Sequence, residues 1–280
     1  MSLNVFTLTA AELKTHNPEL SPVLLPLGPT QQHGPHLPLG TSFMLAEGIA
    51  AGVSRALKAQ NLTPLVAPSL PYAAAELTMG LPGCFSVNAR VFAEFLYEVG
   101  QAFHREGYRW FAVINHHLSL DHLKAMAEAI KDLNKLPGFV AFDPLTPWLL
   151  GRRPALEEAL RRMDLDPSSE IFADVVATSA VMYLDPTLVK SDLLPKLRPF
   201  LASLSWETLK GHFTLKQMGA TEGFIGTPSA ADARLGEWYL DTTATVVAET
   251  VRHAMQGNPP PSLPMVVRLL MRLVDLEDAG

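Results

Sequence analysis

Histidines with small polar neighbours gather at two places in this chain. The first is the run Leu27-Gly28-Pro29-Thr30-Gln31-Gln32-His33-Gly34-Pro35-His36-Leu37-Pro38-Leu39-Gly40-Thr41-Ser42. The second is Asn115-His116-His117-Leu118-Ser119-Leu120-Asp121-His122. An imidazole can ligate a metal or carry a proton near neutral pH. Two of them three residues apart, His33 and His36, held among glycines and prolines, read as a presented site rather than a linker.

The flanking patterns say where these runs sit. Pro22 to Leu27 is an apolar run of strand length, and from Phe43 to Leu57 apolar residues recur at helical spacing. The first run therefore leaves the carboxyl end of a strand, the edge of a parallel sheet where ligands bind. Trp110 to Ile114 is another strand, and the second run connects it to a helix over Leu123 to Leu133. Thr63 to Ala67 and Phe139 to Phe142 are further short strands, and Pro68 to Gly83 is a loop punctuated by proline and glycine. Asn88 is placed to cap a helix that carries Val91, Phe92, Phe95, Leu96, Val99 and Phe103 on one face and stops at Gly107.

Towards the ends the patterns are more varied. Thr9 with Glu12 spells a capping box for a short first helix to about His16. The segment from Pro144 to Asp166 is helical and charged, and its Arg152, Arg153, Arg161 and Arg162 read as a solvated face. Ser168 or Ser169 is expected to cap a helix from Glu170 to Tyr183, closed by Asp185-Pro186. Residues 190 to 222 lack periodicity and are expected to be irregular, with at most a strand. A long helix from Gly236 to Met255, a proline-rich break at Gly257 to Pro264 and an amphipathic helix from Met265 to Leu276 complete the chain. Strands alternating with amphipathic helices imply right-handed crossovers. The expected fold is α/β, three-layer α/β/α with a mainly parallel sheet, in a single domain over residues 1 to 280.

Composition narrows the function. A chain of 280 residues, 48% of them hydrophobic, can bury a large core. No stretch approaches the roughly 18 unbroken apolar residues of a membrane span, and no leader pattern opens the chain, so a soluble, cytoplasmic protein is expected. One cysteine, Cys84, excludes an internal disulfide and a cysteine-based metal site. A net charge of -6 without a basic cluster argues against nucleic acid as partner.

The histidine-bearing run resembles the creatininase (creatinine amidohydrolase) family, whose wording there is close to P-x-G-S-x-E-Q-H-G-P-H-L-P-L-x-T-D. In that family the Glu, the His and the final Asp are ligands of a two-metal centre. This chain keeps His33 but has Gln31 and Ser42 at the two acidic positions. Four further segments match in order. Pro71-Tyr72 with Met79-Gly80-Leu81-Pro82-Gly83 has Leu77 and Thr78 where the family has Glu and His. Val113-Ile114-Asn115-His116-His117 keeps the metal-ligating His as His117, with Ser119 at an acidic ligand position. Phe172 and Ala177 stand at the family's active-site His and Glu, and Thr227 replaces an Asp in Gly223-Phe224-Ile225-Gly226-Thr227-Pro228.

The resemblance implies a creatininase-like fold, an ancestral metal-dependent hydrolysis of a carbon-nitrogen amide bond, and a homo-oligomer. The substitutions imply a degenerate metal site. Two divalent cations about 3.5 to 4 Å apart need anionic ligands to offset their repulsion, and Gln31, Ser42 and Ser119 supply none. No tightly bound cofactor is expected, and the protein reads as a pseudoenzyme candidate that binds a small polar molecule through Gln31, His36, Ser42, His116 and Ser119. Alternatives stay open. One zinc or manganese ion on His33 and His117, completed by His116, His36, Asp121 or water, would give an active amidohydrolase with a reorganised site. The rings can instead hydrogen-bond the loop around them, with His122 at an exposed helix start. A serine beside a base, Ser42 or Ser119 near His33 or His117, would permit metal-free nucleophilic chemistry. Finally, the chain can be a structural partner of an active relative.

Overall fold

The structure is a computed structural model that describes residues 3–276. Its centre is a five-stranded sheet in the order β1-β3-β2-β4-β5, parallel throughout. The strands are β1 (Leu3–Asn4), β2 (Val23–Leu27), β3 (Leu65–Val66), β4 (Trp110–Asn115) and β5 (Val140–Phe142). Alternate residues of the same strands belong to two separate cores. Leu24, Ala112 and Ile114 face one, packed by α2 (Thr41–Lys58), α7 (Val175–Leu184) and α9 (Ala233–Met255). Val23, Leu25, Phe111 and Val113 face the other, covered by α3 (Ala89–Arg105) and α4 (Leu120–Leu133). A strand buried on both faces must read as a continuous apolar run, which is why Val23–Leu27 is so plain in the sequence. This is the expected three-layer α/β/α architecture.

Pro26 lies inside the central strand although it cannot donate to a ladder. Its carbonyl accepts from Leu70 N at 2.9 Å, and in a parallel strand the missing N–H faces the same side. There β3 ends at Val66. On the other side the ladder runs on, with His116 N donating to Leu27 O at 3.0 Å. The loops after β2 and β4 consequently leave the sheet side by side. The chain turns to opposite sides of β2 for β3 and for β4, so these loops flank the switch point of the sheet.

The capping expectations hold at Thr9, where both hydrogen bonds of the box are present, and at Asn88, whose Oδ1 accepts from Arg90 N and Val91 N. Several boundaries differ. Helix α7 begins at Val175 rather than Glu170, because residues 170–174 are used otherwise. Phe172 bridges Ile225 in the antiparallel sense, Ala173 has φ 47°, and Asp174, not a serine, is the N-cap. The charged segment breaks into α5 (Thr146–Leu149) and α6 (Pro154–Arg162). Residues 190–222 contain α8 (Leu204–Leu209) and an isolated bridge from Phe200 to Gly226 instead of a strand. The last helix stops early: α10 is Met265–Leu270, followed by one 3-10 turn. Helix α1 (Ala10–Leu13) is also shorter than expected. On α3, Phe92 and Leu96 are buried while Val91 and Phe95 are exposed, so its inner face is narrower than the six-residue pattern suggested.

The tightest helix contact is between α7 and α9. A Cβ at Gly236 would sit 2.0 Å from the Ser179 carbonyl oxygen and 2.7 Å from Ala180 N, so only glycine lets these backbones approach. Gly236→Ala is therefore expected to destabilise the fold by roughly 1–3 kcal/mol through overpacking, read as a lowered thermal midpoint. Thr245→Ala, at an exposed position of α9, should change it little. Equal midpoints for both variants would show that the two helices separate freely.

Candidate functional site

Three loops meet at the carboxyl edge of the sheet: residues 28–40 after β2, residues 67–78 after β3 and residues 116–119 after β4. Gln31 joins them. It is fully buried, and its side chain lies 3.3 Å from Ser42 Oγ, 3.1 Å from His117 Nδ1 and 3.1 Å from Thr78 Oγ1. His33 Nδ1 lies 2.9 Å from the Gln31 carbonyl oxygen and its Nε2 lies 3.1 Å from Ser42 Oγ. Phe172 stacks on the His33 ring at 4.8 Å. His117 Nε2 lies 2.8 Å from Ser119 Oγ. Gly28 permits the arrangement, since a Cβ there would come within 2.6 Å of the Ser42 carbonyl carbon.

The other histidines brace the scaffold. Thr178 Oγ1 donates to Asp174 O at 2.6 Å, so His36 Nε2 donates to Thr178 at 2.9 Å and ties the loop to α7. His116 Nε2 lies 3.1 Å from the Tyr239 hydroxyl on α9. His122 is fully buried, not the exposed start of a helix. Its Nε2 donates to Asn115 Oδ1 at 2.8 Å and its ring stacks on Phe92. Asn115 uses its whole hydrogen-bonding capacity here, also donating to His117 O and Thr146 Oγ1 and accepting from His117 N.

Above this network opens a pocket of about 720 Å³. His33, Ser42, His116, His117 and Ser119 reach its surface, whereas Gln31 and His36 lie behind it. The Gln31 side chain and His36 Nε2 are engaged by the neighbouring loops and α7, while His36 Nδ1 is buried with no hydrogen-bond partner among the described residues. The walls are mainly apolar, with Leu45, Leu77, Leu123, Leu156 and Phe172 among them, more so than a small polar ligand requires. Arg153, Glu76 and Tyr239 also line it. Arg153 and Tyr239 did not stand out in the sequence as site residues, whereas Glu76 lies one position away from a group that the family's wording has and this chain lacks. Arg153 looked like one more member of a solvated arginine face, yet it is half-buried over the Trp148 ring, while Arg152 is exposed and Arg161 and Arg162 pair with Glu157 and Glu158. Glu170 Oε2 accepts from Val175 N and Thr227 N, so its carboxylate is turned to backbone donors. Cys84 is partly buried, its Sγ 3.6 Å from Ala75 O.

Burial holds the imidazoles neutral. It lowers His33 and His122 to about 3 and His36 and His116 to about 4, and His117 lies well below its ordinary value. Burial, with Glu170 nearby, raises Asp174 to about 7, and burial raises Asp143 to about 6.

A two-metal centre does not fit this donor set. Among the described residues no group of three or more His, Cys, Asp or Glu side chains is placed to hold an ion. Of the positions where the family has carboxylates, 31, 42 and 119 carry groups that hydrogen-bond to His33 and His117. Zinc or manganese would have to displace Gln31 from His117 and Ser42 from His33.

The sheet, its two helical layers and the pocket at the switch point define a three-layer α/β protein. The chain belongs to the creatininase family, described as creatinine amidohydrolase, which residues 7–251 match. It is 31% identical over 218 residues to the mycofactocin precursor peptide peptidase of Mycolicibacterium smegmatis, covering 77% of this chain and 78% of that protein. With the Mycobacterium tuberculosis protein of the same name it shares 32% identity over 99 residues, and the match spans only 38% of that protein's length. A structure named "Creatininase Mn" superposes with a TM-score of 0.73 at 20% identity, covering 93% of this chain and all of that one. A mutant creatininase of "Zn-Zn type" gives 0.73 at 21% identity with the same coverage.

The neutral imidazoles set a sign for acid stability. A histidine whose folded pKa lies below its unfolded value near 6.5 stabilises the fold above pH 6.5, and that stability is lost as pH falls toward the folded pKa. The raised Asp174 and Asp143 act in the opposite sense, their contribution falling as pH rises towards about 6 to 7. Five imidazoles outweigh two carboxylates, since each tenfold change in proton affinity between the folded and unfolded chain is worth about 1.4 kcal/mol. Stability is expected to drop by on the order of 5 kcal/mol between pH 7 and 5, measured as a falling urea midpoint. A midpoint that stays level or rises on acidification would mean that the imidazoles are not held neutral.

Proposed function

We propose that this creatininase-family protein binds an amide or short peptide, largely apolar in character, in the pocket above β2 and β4, without assembling the two-metal centre. One observation carries the reading: Gln31, Ser42 and Ser119 hydrogen-bond to His33 and His117, at the positions where the family's wording has metal ligands. These contacts neutralise the polarity of the pocket floor without any ion. The named activity of the relatives, cleavage of a precursor peptide, supports an amide-bearing ligand, and the apolar walls support one with hydrophobic side chains.

Protein purified without added metal and then dialysed is expected to hold well under one divalent ion per chain by elemental analysis. Gln31→Glu with Ser42→Asp and Ser119→Glu should then create zinc or manganese binding by calorimetric titration. Gln31 already reaches both Ser42 and His117, so a carboxylate at position 31 would face both. With Phe172 and Ala177 unchanged, the triple variant is expected to hydrolyse amides poorly, since general acid-base groups are worth about 10² to 10⁴ in rate. Two zinc or manganese ions per parent chain would overturn the reading. A single tightly held ion on His33 and His117, with chelator-sensitive turnover, would replace it with the one-metal alternative.

Assembly is proposed on separate grounds. Met265 is 67% and Leu273 80% exposed on the terminal helical segment, and a second copy of the chain is the proposed cover. Closed, even-numbered homomers are the common outcome for soluble proteins. Light scattering at micromolar concentration should give at least twice 30.5 kDa; the mass of one chain would remove the proposal.

A further inference from the structure

We propose that Ser42 is a nucleophile and His33 its base, giving the pocket a metal-independent acyl-transfer activity on amides or esters with an apolar acyl group. The chemistry begins at one atom. The Gln31 carbonyl oxygen can only accept, so the His33 nitrogen 2.9 Å away, Nδ1, carries the ring proton. His33 Nε2 is then a lone pair, and the Ser42 hydroxyl 3.1 Å away donates to it. That is the orientation in which an imidazole takes a proton from a serine, with a backbone carbonyl fixing the tautomer.

The same logic orients the rest of the network. Ser42 has one hydrogen, already directed to His33, so its 3.3 Å contact with the Gln31 side chain requires the amide nitrogen there as donor. The second amide hydrogen points to His117 Nδ1, which must accept. His117 Nε2 therefore carries a proton and donates to Ser119 Oγ at 2.8 Å. Ser119 receives a proton from its histidine and has no base, so it is not the nucleophile. Its own hydroxyl hydrogen has no acceptor among the described residues and lies at the pocket surface. It is available to donate to a group bound in the pocket. Gln31 Nε2 meanwhile offsets the charge that gathers on Ser42 Oγ.

The steps balance without a metal or an oxidant. The Ser42 Oγ–carbon bond forms as the hydroxyl proton passes to His33 Nε2, and the carbonyl electron pair moves to oxygen. Collapse of that adduct breaks the carbon–nitrogen bond, and the proton on His33 goes to the leaving amine. Water, deprotonated by His33, then cleaves the acyl–Ser42 ester and restores the hydroxyl. Phe172, stacked on His33, holds the ring in place on one face. The apolar walls select the acyl group.

This proposal rests on the reading that the pocket receives an amide without a two-metal centre, and its test separates the two. Wild-type protein in excess chelator is treated with an alkyl fluorophosphonate and digested for mass spectrometry. A single adduct on the peptide bearing Ser42 is expected, together with chelator-insensitive hydrolysis of p-nitrophenyl octanoate. His33→Gln should slow labelling by about 10² to 10⁴, Ser42→Ala should abolish it, and Ser119→Ala should leave the adduct at Ser42. Circular dichroism checks that each variant is folded, and the wild-type result stands without them. No adduct, an adduct at another residue, or loss of labelling on chelation overturns the nucleophile. If octanamide still shifts the pocket's NMR resonances while no adduct forms, ligand binding survives and only the nucleophile fails.

Discussion

A single hydrogen bond, from His33 Nδ1 to the carbonyl oxygen of Gln31, fixes the direction of the bonds that run on through Ser42, the Gln31 side chain, His117 and Ser119. Amide and imidazole groups can usually be turned either way, and a network of them has two opposite polarities. Here a group that can only accept stands at one end, so Ser42, the Gln31 side chain, His117 and Ser119 take one orientation in sequence. The network links the loops after β2, β3 and β4, because Gln31 also meets Thr78. Such a closed set is worth more than its bonds counted singly, since each buried polar group would be costly if left alone.

This arrangement is a different electrostatic solution from the one the family's wording describes. A cation pair needs charged ligands around it, and those ligands repel one another when the cations leave. A floor of amide, hydroxyl and neutral imidazole has no such dependence. The backbone frame is nevertheless retained: Gly28 lets the loop lie against the start of α2, and a Cβ at Gly34, with φ 71°, would strike the His36 ring at 2.6 Å. The same frame thus carries an amide and two hydroxyls at three positions where the family's wording has carboxylates.

Those three replacements were legible in the sequence, as were β2, the cap at Asn88 and the box at Thr9, because each is a local pattern. The two-residue strands β1 and β3 carry too few residues for a period. The start of α7 was misplaced because Phe172 pairs with Ile225, far along the chain. His122 looked exposed because Phe92 and Asn115, which bury it, come from α3 and the end of β4. Arg153 and Tyr239 arrive in the pocket from elements that run outside the matched motifs. What the sequence could not convey was the apolar character of the walls, which depends on several helices converging.

The last segment of the chain ties the width of the pocket to the sheet. Val266, Val267 and Leu270 of α10 form part of its rim. A few residues later Lys124 Nζ on α4 donates to Val274 O at 2.6 Å, and Leu276 packs into the core beneath α3 and α4. Helix α4 itself is entered through Ser119, its N-cap. The rim cannot swing outward like a free flap; it must bend at residues 271–273 or release Lys124. Lys124 lies little more than one turn beyond Ser119, so the tether to the terminal segment and the pocket hydroxyl share the same end of α4.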